Sequence, residues 1–381
     1  MKVKIYGTLG PACSDIDTLE KMFRNGMTGM RLNLSHTALR DAEEQIRTMQ
    51  SAAGRCGIKP ELLIDMQGPE LRIGRLEKEV VLRSGQTIEF ICDKNLRHDT
   101  AAPTGEAAAR NNDTDNEKHK AACRMERPMY IPVPAAVMPY LKEGQKVLID
   151  DGRIGITVSR NDTVEGSAEN NIIGTVTAGG MLKSRKSICL TGINIQTPAV
   201  TAADIENLKD AVRLGVTGIM QPFVRSREDL EAVRAELKRA GADRLRLFAK
   251  IENQEGIARL GELLPVCDEI VIARGDLGNS MPLWELPGTQ KRISNMCRAA
   301  GRDFMVVTQM LYSMEHSPVP TRAEVSDIFN AVLDGAASVM VTGETASGEY
   351  PVEVIRYLTN TVREAVYKQN RHTAGTDSSQ I

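Results

Sequence analysis

The sequence predicts an α/β protein built as a (β/α)8 TIM barrel, with a small β-barrel lid domain inserted after the third strand. Short apolar runs alternate with amphipathic segments along most of the 381-residue chain, as they do where parallel strands are covered by helices. The alternation occurs eight times, which is the strand count of a (β/α)8 barrel. One stretch, from about residue 73 to residue 183, has instead the texture of antiparallel sheet.

Eight short apolar runs are the predicted barrel strands. Each is bounded by polar or glycine-containing segments, as strands of a barrel are. The runs are KVKIY at 2–6, GMRLNL at 29–34, ELLIDM at 61–66, GIMQPF at 218–223, LRLFAKI at 245–251, EIVIA at 269–273, FMVVTQ at 304–309 and SVMVTG at 338–343.

The segments between these runs are predicted helices. Several of them begin with Ser, Thr or Asp and end at glycine, the residues that helix caps prefer. In a (β/α)8 barrel the chemistry lies at the C-terminal ends of the strands. The helical segments include DIDTLEKMFRNG, TAADIENLKDAVRLG, SREDLEAVRAELKRAG and TRAEVSDIFNAVLDGA.

The interrupting stretch predicts a separate β domain. EVVLRSGQTIEFIC, QKVLIDDGRIGITVS and NIIGTVTAGGML show the alternation and the glycine-containing turns of antiparallel strands. Within it, residues 93–123 are polar and free of aromatic residues, as an exposed excursion would be. We therefore predict a barrel domain over residues 1–73 and 184–370, an inserted lid over 74–183 and a flexible tail over 371–381.

The composition excludes several classes of protein. Lys and Arg number 48 against 50 Asp and Glu, a net charge of -2, so no basic surplus exists to neutralise a nucleic acid. No run approaches the ~18 apolar residues of a membrane span, and the N-terminus has no secretory apolar region. The seven cysteines show no metal-ligand spacing, and we expect reduced, mostly buried thiols in a cytoplasmic protein.

Polar and charged residues recur where the predicted strands end. In FAKIENQEG, Lys250 and Glu252 end an apolar run two residues apart, so they share one face of the strand. A single such residue can be structural: Asp276 could cap a helix, and His36 could be a turn residue. Convergence of the whole set on one barrel mouth indicates a site. Its other members are Arg31, Asn33, Ser35, Asp65, Glu70, Arg72, Thr308 and Glu344.

This set of side chains is suited to phosphoryl transfer. Glu252 and Asp276 offer hard oxygen ligands for Mg²⁺ or Mn²⁺, and no His/Cys group nearby suggests zinc. Arg31, Arg72 and Lys250 suit a phosphorylated substrate that also bears a carboxylate. Phosphoryl transfer depends on positioning and on stabilising charge at the transferring oxygens. The chain has no GxxxxGK[ST] loop and no protein-kinase catalytic-loop pattern, which excludes those two classes.

The sequence resembles the pyruvate kinase family in eight stretches. They cover nearly all of the barrel and the edges of the insert, and taken jointly they are very specific. The resemblance implies transfer of a phosphoryl group from phosphoenolpyruvate to ADP through enolpyruvate, giving pyruvate and ATP, with Mg²⁺ (or Mn²⁺) and K⁺ as cofactors. The stretches are GTLGPACSDIDTLEKMFRNGMTGMRLNLSH, DMQGPELRIG, LIDDGRI, AKIENQEGI, ARGDLG, VVTQMLYSM, PTRAEVSDIFNAVLDGA and TGETASGEYPVE.

The resemblance implies a role for each catalytic and substrate-binding residue. Lys250 would stabilise the transferring phosphoryl group and the enolate. Arg31 would hold the phosphoryl group with help from Arg72, and Thr308 would lie beside the enol carbon on the proton-delivery path. The backbone amides at the start of the following helix would receive the substrate carboxylate. The residues of that segment are Ala273, Arg274, Gly275 and Asp276.

The resemblance also implies sites for the nucleotide and for two cations. Glu70 matches relatives that depend on K⁺, because relatives that are independent of it tend to carry a lysine there. The implied nucleotide-side residues are His36, Arg72 and Lys186; the divalent-metal ligands are Glu252 and Asp276; the K⁺ ligands are Asn33, Ser35, Asp65 and the backbone carbonyl of Met66.

Several departures from the family pattern lie on the nucleotide or acceptor side. Gln67 stands where a lysine is usual, and Gln221 and Pro222 stand where the family usually has Ala-Ser. The chain also ends after the eighth helix, so we expect no C-terminal α/β domain and no sugar-phosphate site of the kind that this domain carries. In the segment RKSICLTG, by which the chain returns from the lid, the replaced positions are Ser187, Cys189 and Thr191, where the family has glycine, asparagine and proline.

Three functions therefore stay open. The first is pyruvate kinase activity without the regulatory domain. The second is a phosphotransferase on the same scaffold with a different enolate, keto acid or alcohol as acceptor. The third is a catalytically idle barrel that binds a partner. We expect phosphoenolpyruvate or pyruvate and ADP or ATP as ligands, a homo-oligomer formed through barrel helices, and neither nucleic acid nor membrane as a partner.

Overall fold

The computed structural model describes residues 3–35, 37–93, 129–150, 152–163, 170–193, 195 and 197–375. The chain divides into two compact units. The first contains residues 1–70 and 197–381, and the second contains residues 71–196. The second unit begins before residue 74 and ends after residue 183, which are the bounds of the insert that the sequence predicts.

The first unit is a closed barrel of eight parallel strands, so the predicted fold class is confirmed. The apolar runs form strands because both faces of a parallel barrel strand are covered, which favours continuous rather than alternating apolar residues. Around the barrel the strand order is β1-β16-β15-β14-β13-β12-β3-β2. The strands are β1 (Lys4–Thr8), β2 (Gly29–Asn33), β3 (Glu61–Asp65), β12 (Gly218–Gln221), β13 (Arg246–Ile251), β14 (Glu269–Ala273), β15 (Asp303–Val307) and β16 (Ser338–Met340).

The inside of the barrel is filled by side chains and is not a pore. Tyr6, Phe248 and Met340 are fully or almost fully buried there. Larger numbers of apolar residues from the outer strand faces pack against the surrounding helices, as the fold requires. The interior cluster consists of Tyr6, Leu63, Met220, Phe248, Val271, Ala273, Met305, Val307 and Met340.

The four predicted helical segments begin after the predicted N-cap residues, although the Ser226 side chain makes no capping bond and α3 ends at Ala211 instead of running to Gly215. Asp15 accepts a hydrogen bond from the Thr18 amide, and Thr201 and Thr321 form complete capping boxes. No helix of the described residues combines the length and the apolar character needed to cross a bilayer. The helices are α1 (Ile16–Arg24), α2 (Glu43–Arg55), α3 (Ala202–Ala211), α4 (Arg227–Arg239), α5 (Gln254–Ala258), α6 (Leu260–Leu263), α7 (Arg274–Asn279), α8 (Leu286–Ala299), α9 (Arg322–Leu333), α10 (Gly343–Ala346) and α11 (Pro351–Gly375).

Short 3₁₀ turns complete the helical structure. The last helix, α11, continues through Gly375, so residues 371–375 are helical although the sequence predicted a flexible tail from residue 371. Residues 376–381 of that tail lie outside the described residues. The 3₁₀ turns are Pro11–Cys13, Leu39–Ala42, Met138–Tyr140, Leu283–Glu285 and Tyr312–Glu315.

The second unit is built from β-strands around its own apolar core. Six strands form one sheet in the order β11-β7-β8-β9-β5-β6, and β10 pairs with β4 in a two-stranded sheet. Neighbouring strands are antiparallel, as the glycine-containing turns predict, except that β5 and β6 are parallel. Most of the predicted excursion, residues 94–123, lies outside the described residues. The strands are β4 (Val80–Leu82), β5 (Thr87–Cys92), β6 (Met129–Val133), β7 (Lys146–Ile149), β8 (Ile154–Thr163), β9 (Asn170–Ala178), β10 (Gly180–Leu182) and β11 (Ile188–Leu190).

Candidate active site

Four charged side chains meet at the C-terminal ends of β2, β3 and β13. We call Arg31, Asp65, Lys250 and Glu252 the mouth cluster. Lys250 Nζ lies 3.0 Å from Asp65 Oδ2 and 3.0 Å from Glu252 Oε1. Arg31 Nη2 lies 2.7 Å from the same Asp65 oxygen. Because β13 and β3 are separated by β12 in the barrel, Lys250 reaches across the mouth to make the contact with Asp65.

Electrostatics keep Lys250 and Asp65 charged. Burial alone would lower the pKa of Lys250, but the carboxylates of Asp65 and Glu252 outweigh burial and raise that pKa. Burial alone would raise the pKa of Asp65, but Lys250 and Arg31 lower it. Lys250 therefore stays protonated, and Asp65 ionised, at neutral pH. The barrel mouth thus contains a fixed positive charge on the Lys250 side chain, which is 13% exposed.

Glu252 is oriented by a second contact. Its Oε2 accepts a hydrogen bond of 2.7 Å from the amide of Phe223, which follows β12. Phe223 has a φ of 50°, a left-handed conformation that is unfavourable for a bulky residue. The carboxylate is thus fixed between the Lys250 ammonium and a strained turn, and only 2% of the residue is exposed.

The ARGDLG segment follows β14, the neighbour of β13 in the barrel. Ala273 ends the strand, and α7 begins at Arg274. The negative charge of Asp276 is one of the causes that raise the pKa of Lys250, after Asp65 and Glu252. Asp276, on α7, therefore lies within electrostatic range of Lys250, whose direct carboxylate partners are Asp65 and Glu252.

The acidic residues fit a divalent cation completed by substrate. Among the residues that the structure describes, no three His, Cys, Asp or Glu side chains form a metal-holding group. Mg²⁺ is nevertheless bound through one or two carboxylates when substrate oxygens and waters supply its other ligands. Glu252 and Asp276 meet that requirement with hard oxygen donors, which is a poor donor set for zinc.

Thr308 follows β15 in a strained backbone conformation. Its φ is 78°, and that of Gln309 is 54°, although β-branched residues avoid this region at a cost of about 1–3 kcal/mol. A Cβ added to Gly275 would lie 3.0 Å from the Thr308 methyl group. The Thr308 side chain therefore packs against the ARGDLG segment at Gly275, where the Cβ of a larger residue would press on its methyl group. The predicted strand through residue 309 ends earlier, at Val307, because this turn begins at Thr308.

The predicted K⁺ ligands lie on adjacent strand ends. Asn33 pairs with Asp65 in the register of β2 and β3. Asn33 Oδ1 accepts a hydrogen bond of 3.1 Å from the Ser35 amide, whereas the Asp65 carboxylate is bound by Arg31 and Lys250. The amide of Met66 donates to the Met220 carbonyl at 3.1 Å. The predicted nucleotide-side residue His36 lies outside the described residues.

The second unit brings two of the predicted residues together. Arg72 forms an isolated antiparallel bridge with Ser187, the residue after Lys186. Arg72 Nη1 donates to the Arg185 carbonyl at 2.8 Å. Lys186 Nζ forms an ion pair of 2.7 Å with Asp150. Arg72 and Lys186 therefore lie on paired segments of one unit.

Two residues that depart from the family pattern are tied down by hydrogen bonds. Gln67 Nε2 donates to the Leu34 carbonyl at 3.0 Å. Gln221 is fully buried, and its Nε2 donates to the Ala199 carbonyl at 2.7 Å. Its Oε1 has no hydrogen-bond partner within the described part of the chain. Neither side chain supplies the positive charge of the lysine that is usual at position 67.

Sequence reasoning missed Asp204, which fixes the loop after β3. Its buried carboxylate accepts the amides of Gln67 at 2.8 Å and Gly68 at 3.1 Å, and it also accepts the amide and hydroxyl of Thr201. The signal was present as the Thr-x-x-Asp capping box that begins α3. Glu344, which the sequence placed at the mouth, has a comparable role: its buried carboxylate accepts the amides of Thr342 and Leu311.

Comparison with known proteins finds one family over most of the chain. The family described as "Pyruvate kinase, barrel domain" matches residues 1–105 and 105–355. A pyruvate kinase of Corynebacterium efficiens is 36% identical over 366 residues, which is 96% of this chain and 70% of that protein. A pyruvate kinase of Methylorubrum extorquens is 36% identical over 371 residues, with 96% of this chain and 70% of that protein covered. One of Geobacillus stearothermophilus is 34% identical over 356 residues, with 93% of this chain and 55% of that protein covered.

Proposed function

We propose that this chain, which belongs to the pyruvate kinase family, transfers a phosphoryl group from phosphoenolpyruvate to ADP and so produces pyruvate and ATP. The observation that carries the proposal is the position of Lys250 between Asp65 and Glu252, within electrostatic range of Asp276. A buried, permanently charged ammonium at a barrel mouth is suited to stabilising charge on a transferring phosphoryl group.

Two cations of the mouth cluster would bind the phosphoryl group. Lys250 stabilises negative charge that develops on the transferring oxygens and on the enolate. Arg31 holds the phosphoryl group, and its guanidinium is already oriented by two bonds from Nε and Nη2 to Asp65. Because both cations are anchored on one carboxylate, little reorganisation is needed as charge develops.

Glu252 and Asp276 would hold the divalent cation. Their carboxylates, with substrate oxygens, supply the hard ligands that Mg²⁺ or Mn²⁺ requires. When bound, the cation would act as a Lewis acid on the phosphoryl and enol oxygens. The contact between Glu252 and the Phe223 amide fixes the orientation of one of these ligands.

The remaining residues of the site would bind and protonate the substrate. The amides of the segment from Ala273 to Asp276 receive the substrate carboxylate, and Thr308 lies on the path that delivers a proton to the enol carbon. On the nucleotide side, Arg72 and Lys186 bind phosphate oxygens. The position of Thr308 against Gly275 supports this arrangement, because it places the hydroxyl beside the segment that binds the carboxylate.

A second candidate is a related phosphotransferase with a different acceptor. It is favoured by Gln67, whose amide is bonded to the Leu34 carbonyl and which carries no charge where the family usually has a lysine. A neutral residue there weakens the attraction for an anionic partner. The divalent-metal residues Glu252 and Asp276 are the same in both candidates.

Pyruvate formation separates the two candidates. Purified protein is mixed with phosphoenolpyruvate, ADP, Mg²⁺ and K⁺, and pyruvate is followed by coupling to lactate dehydrogenase. We expect pyruvate and ATP in equal amounts. If no pyruvate forms, a panel of keto acids and alcohols with ATP as donor tests the second candidate. Loss of ATP dependent on one of these acceptors would replace the first proposal by the second.

We also propose a K⁺ site formed by Asn33, Ser35, Asp65 and the Met66 carbonyl. Activity in buffer free of K⁺ and Na⁺ should rise at least about tenfold on addition of K⁺, because the ion adds positive charge beside the phosphoryl group. Glu70→Lys should remove much of this dependence by placing a fixed cation there. Glu364→Lys, the same charge change on the exposed face of α11, is the matched control and should keep it. Equal rates with and without K⁺ at saturating substrate would show that the site is not used.

A further inference from the structure

The side chain of Arg274 lies behind Thr308. Its Nε and Nη2 donate to the Thr308 carbonyl at 3.1 and 2.7 Å. Its Nη1 forms an ion pair of 2.5 Å with Asp327 on α9. Each of the three guanidinium nitrogens therefore has a protein partner, and only 12% of the side chain is exposed.

The bonded carbonyl belongs to the most strained turn of the barrel mouth. Thr308 and Gln309 are consecutive left-handed residues without being glycine. Such a conformation persists only where surrounding contacts impose it. The forked contact from Arg274 to the Thr308 carbonyl supplies such a contact, because two bonds to one oxygen fix the direction of the peptide group as well as its position.

Asp327 connects this fork to a rigid part of the barrel. It lies on α9, whose capping box at Thr321 is complete. Glu324 of the same helix accepts bonds from the amide and the hydroxyl of Ser313 at 2.7 and 2.6 Å. The start of α9 is thereby tied to the loop after β15, which is the loop that contains Thr308. Movement of Arg274 relative to Thr308 is resisted at both ends of the contact.

We propose that Arg274, held by Asp327, is a positioning residue that keeps Thr308 in the backbone conformation from which its hydroxyl serves proton delivery. The inference rests on the proposed function, in which the hydroxyl of Thr308 gives a proton to the methylene carbon of enolpyruvate and regains one from solvent. The π electrons of the enolate form the new C–H bond, and the enolate oxygen becomes the ketone of pyruvate. The side chain of Arg274 acts on this step through Thr308 and not by touching the substrate.

The proton step can be measured apart from phosphoryl transfer. Exchange of the methyl hydrogens of pyruvate with D₂O, followed by proton NMR in the presence of Mg²⁺, K⁺ and ATP, reports formation and protonation of the enolate. Turnover from phosphoenolpyruvate and ADP reports both steps. Arg274→Lys keeps the positive charge and removes the fork, so it should slow exchange and lower kcat by about 10- to 100-fold, the size expected for a misplaced group. The KM for phosphoenolpyruvate should change much less, because the guanidinium makes no substrate contact.

Coupling to Thr308 is the test that a merely structural role would not pass. In a Thr308→Ala background, Arg274→Lys should cause no further loss of exchange, because the group that it positions is absent. Asp327→Asn, which leaves an amide oxygen to accept from Arg274, should give a smaller loss in the same direction. The matched control is Asp334→Asn at the C-cap of the same helix, which removes the 2.6 Å ion pair with Lys291 and should leave exchange unchanged. Circular dichroism confirms that each variant is folded.

Several outcomes overturn the inference. If Arg274→Lys and Thr308→Ala lower exchange by independent factors that multiply, Arg274 does not act through Thr308. If Arg274→Lys raises KM while exchange is normal, it binds substrate directly. Should Arg274→Lys fail to fold, Asp327→Asn with normal exchange would decide against the proposal. A wild type that forms no pyruvate would overturn the proposed function itself, and this inference with it, whereas an active wild type with additive variants would overturn the inference alone.

Discussion

The two ends of the barrel each hold a cluster of opposite charges that includes buried carboxylates, yet only one of them is a candidate for catalysis. The mouth cluster lies at the C-terminal strand ends. A second group of charged and polar side chains lies at the N-terminal strand ends, and we call it the base cluster. Composition does not separate the two, because both contain acids and bases within bonding distance. The base cluster consists of Lys4, Tyr6, Glu61, Arg246, Glu269 and Ser338.

The base cluster has the features of a structural network. Arg246 forms an ion pair of 2.7 Å with Glu269, which is 1% exposed. Its guanidinium carbon also lies 4.7 Å from the centre of the Phe248 ring in the barrel interior. Glu61 accepts from the Tyr6 hydroxyl at 2.5 Å, and the Ser338 hydroxyl donates to Glu269. These contacts close the base of the barrel, where stability rather than catalysis is expected.

Backbone strain distinguishes the two ends. Three non-glycine residues with left-handed φ follow barrel strands at the mouth: Phe223, Thr308 and Gln309. Among the described residues, none with that conformation precedes a barrel strand at the base. Strain of this kind is retained where function requires it. Buried charge is therefore a weak sign of an active site, and buried charge beside strained turns is a stronger one.

Glu269 at the base and Asp65 at the mouth differ in the direction of their pKa shifts, although the pKa of the base residue Glu61 is lowered against burial by Lys4 and Tyr6. Burial raises the pKa of Glu269 even though Ser338 and Arg246 act to lower it. At the mouth, Lys250 and Arg31 lower the pKa of Asp65 in spite of its burial. Two cations on one carboxylate thus keep the mouth ionised, which a site that binds anionic substrates requires.

Lys250→Met should give the largest effect, and this effect should be on catalysis. We expect kcat to fall by about 10³-fold, because the positive charge that stabilises the transferring phosphoryl group is lost. The barrel should remain folded. Steady-state pyruvate formation and thermal unfolding by circular dichroism measure the two quantities. Lys209→Met, the same change at a side chain that is 58% exposed, is the control and should leave both unchanged. Near-normal turnover in Lys250→Met would show that the mouth cluster is no more catalytic than the base cluster.

Arg246→Met should give the opposite result. It leaves Glu269 buried without its ion-pair partner, which should lower the free energy of unfolding by about 3 kcal/mol, and kcat of the folded enzyme should be unchanged. Urea unfolding and turnover at 25 °C measure the two effects. Arg239→Met removes an exposed ion pair on α4, with the arginine 73% exposed, and should cost less than about 1 kcal/mol. A large fall in kcat with stability intact would break the distinction between the two ends.

Asp65→Asn should lower the free energy of unfolding at neutral pH, and the difference from the wild type should shrink in acid. The ordinary pKa of 3.8 is lowered in the folded state because Lys250 and Arg31 outweigh burial. A carboxylate with a lowered folded pKa stabilises the protein fully above its unfolded value, and this contribution is lost as the pH falls through the folded value. Below about pH 4 the free energy of unfolding should therefore fall less steeply for Asp65→Asn than for the wild type. Parallel slopes in acid would mean that Lys250 and Arg31 do not lower the pKa of Asp65 in the folded state.

The strand and helix pattern could be predicted from the sequence because its causes are local. Capping residues such as Thr201 and Thr321 act on amides within the next turn. Strand ends were less well predicted: the run at 338–343 is a strand only through Met340, and that at 304–309 ends at Val307. The polar residues that follow look compatible with a strand, but nothing in their identity reveals a left-handed φ.

The four residues of the mouth cluster could be predicted from the sequence, but their contacts could not. Lys250 and Glu252 can be assigned to one face from the chain alone, because side chains alternate along a strand. The contact of Lys250 with Asp65, 185 residues away in the chain, and the bond from the Arg274 side chain to the Thr308 carbonyl are seen only in the folded barrel. These contacts could not be predicted because they depend on the order and register in which eight strands close a barrel. Periodicity and capping fix the elements within a few residues, whereas closure brings together side chains from elements that no local pattern connects.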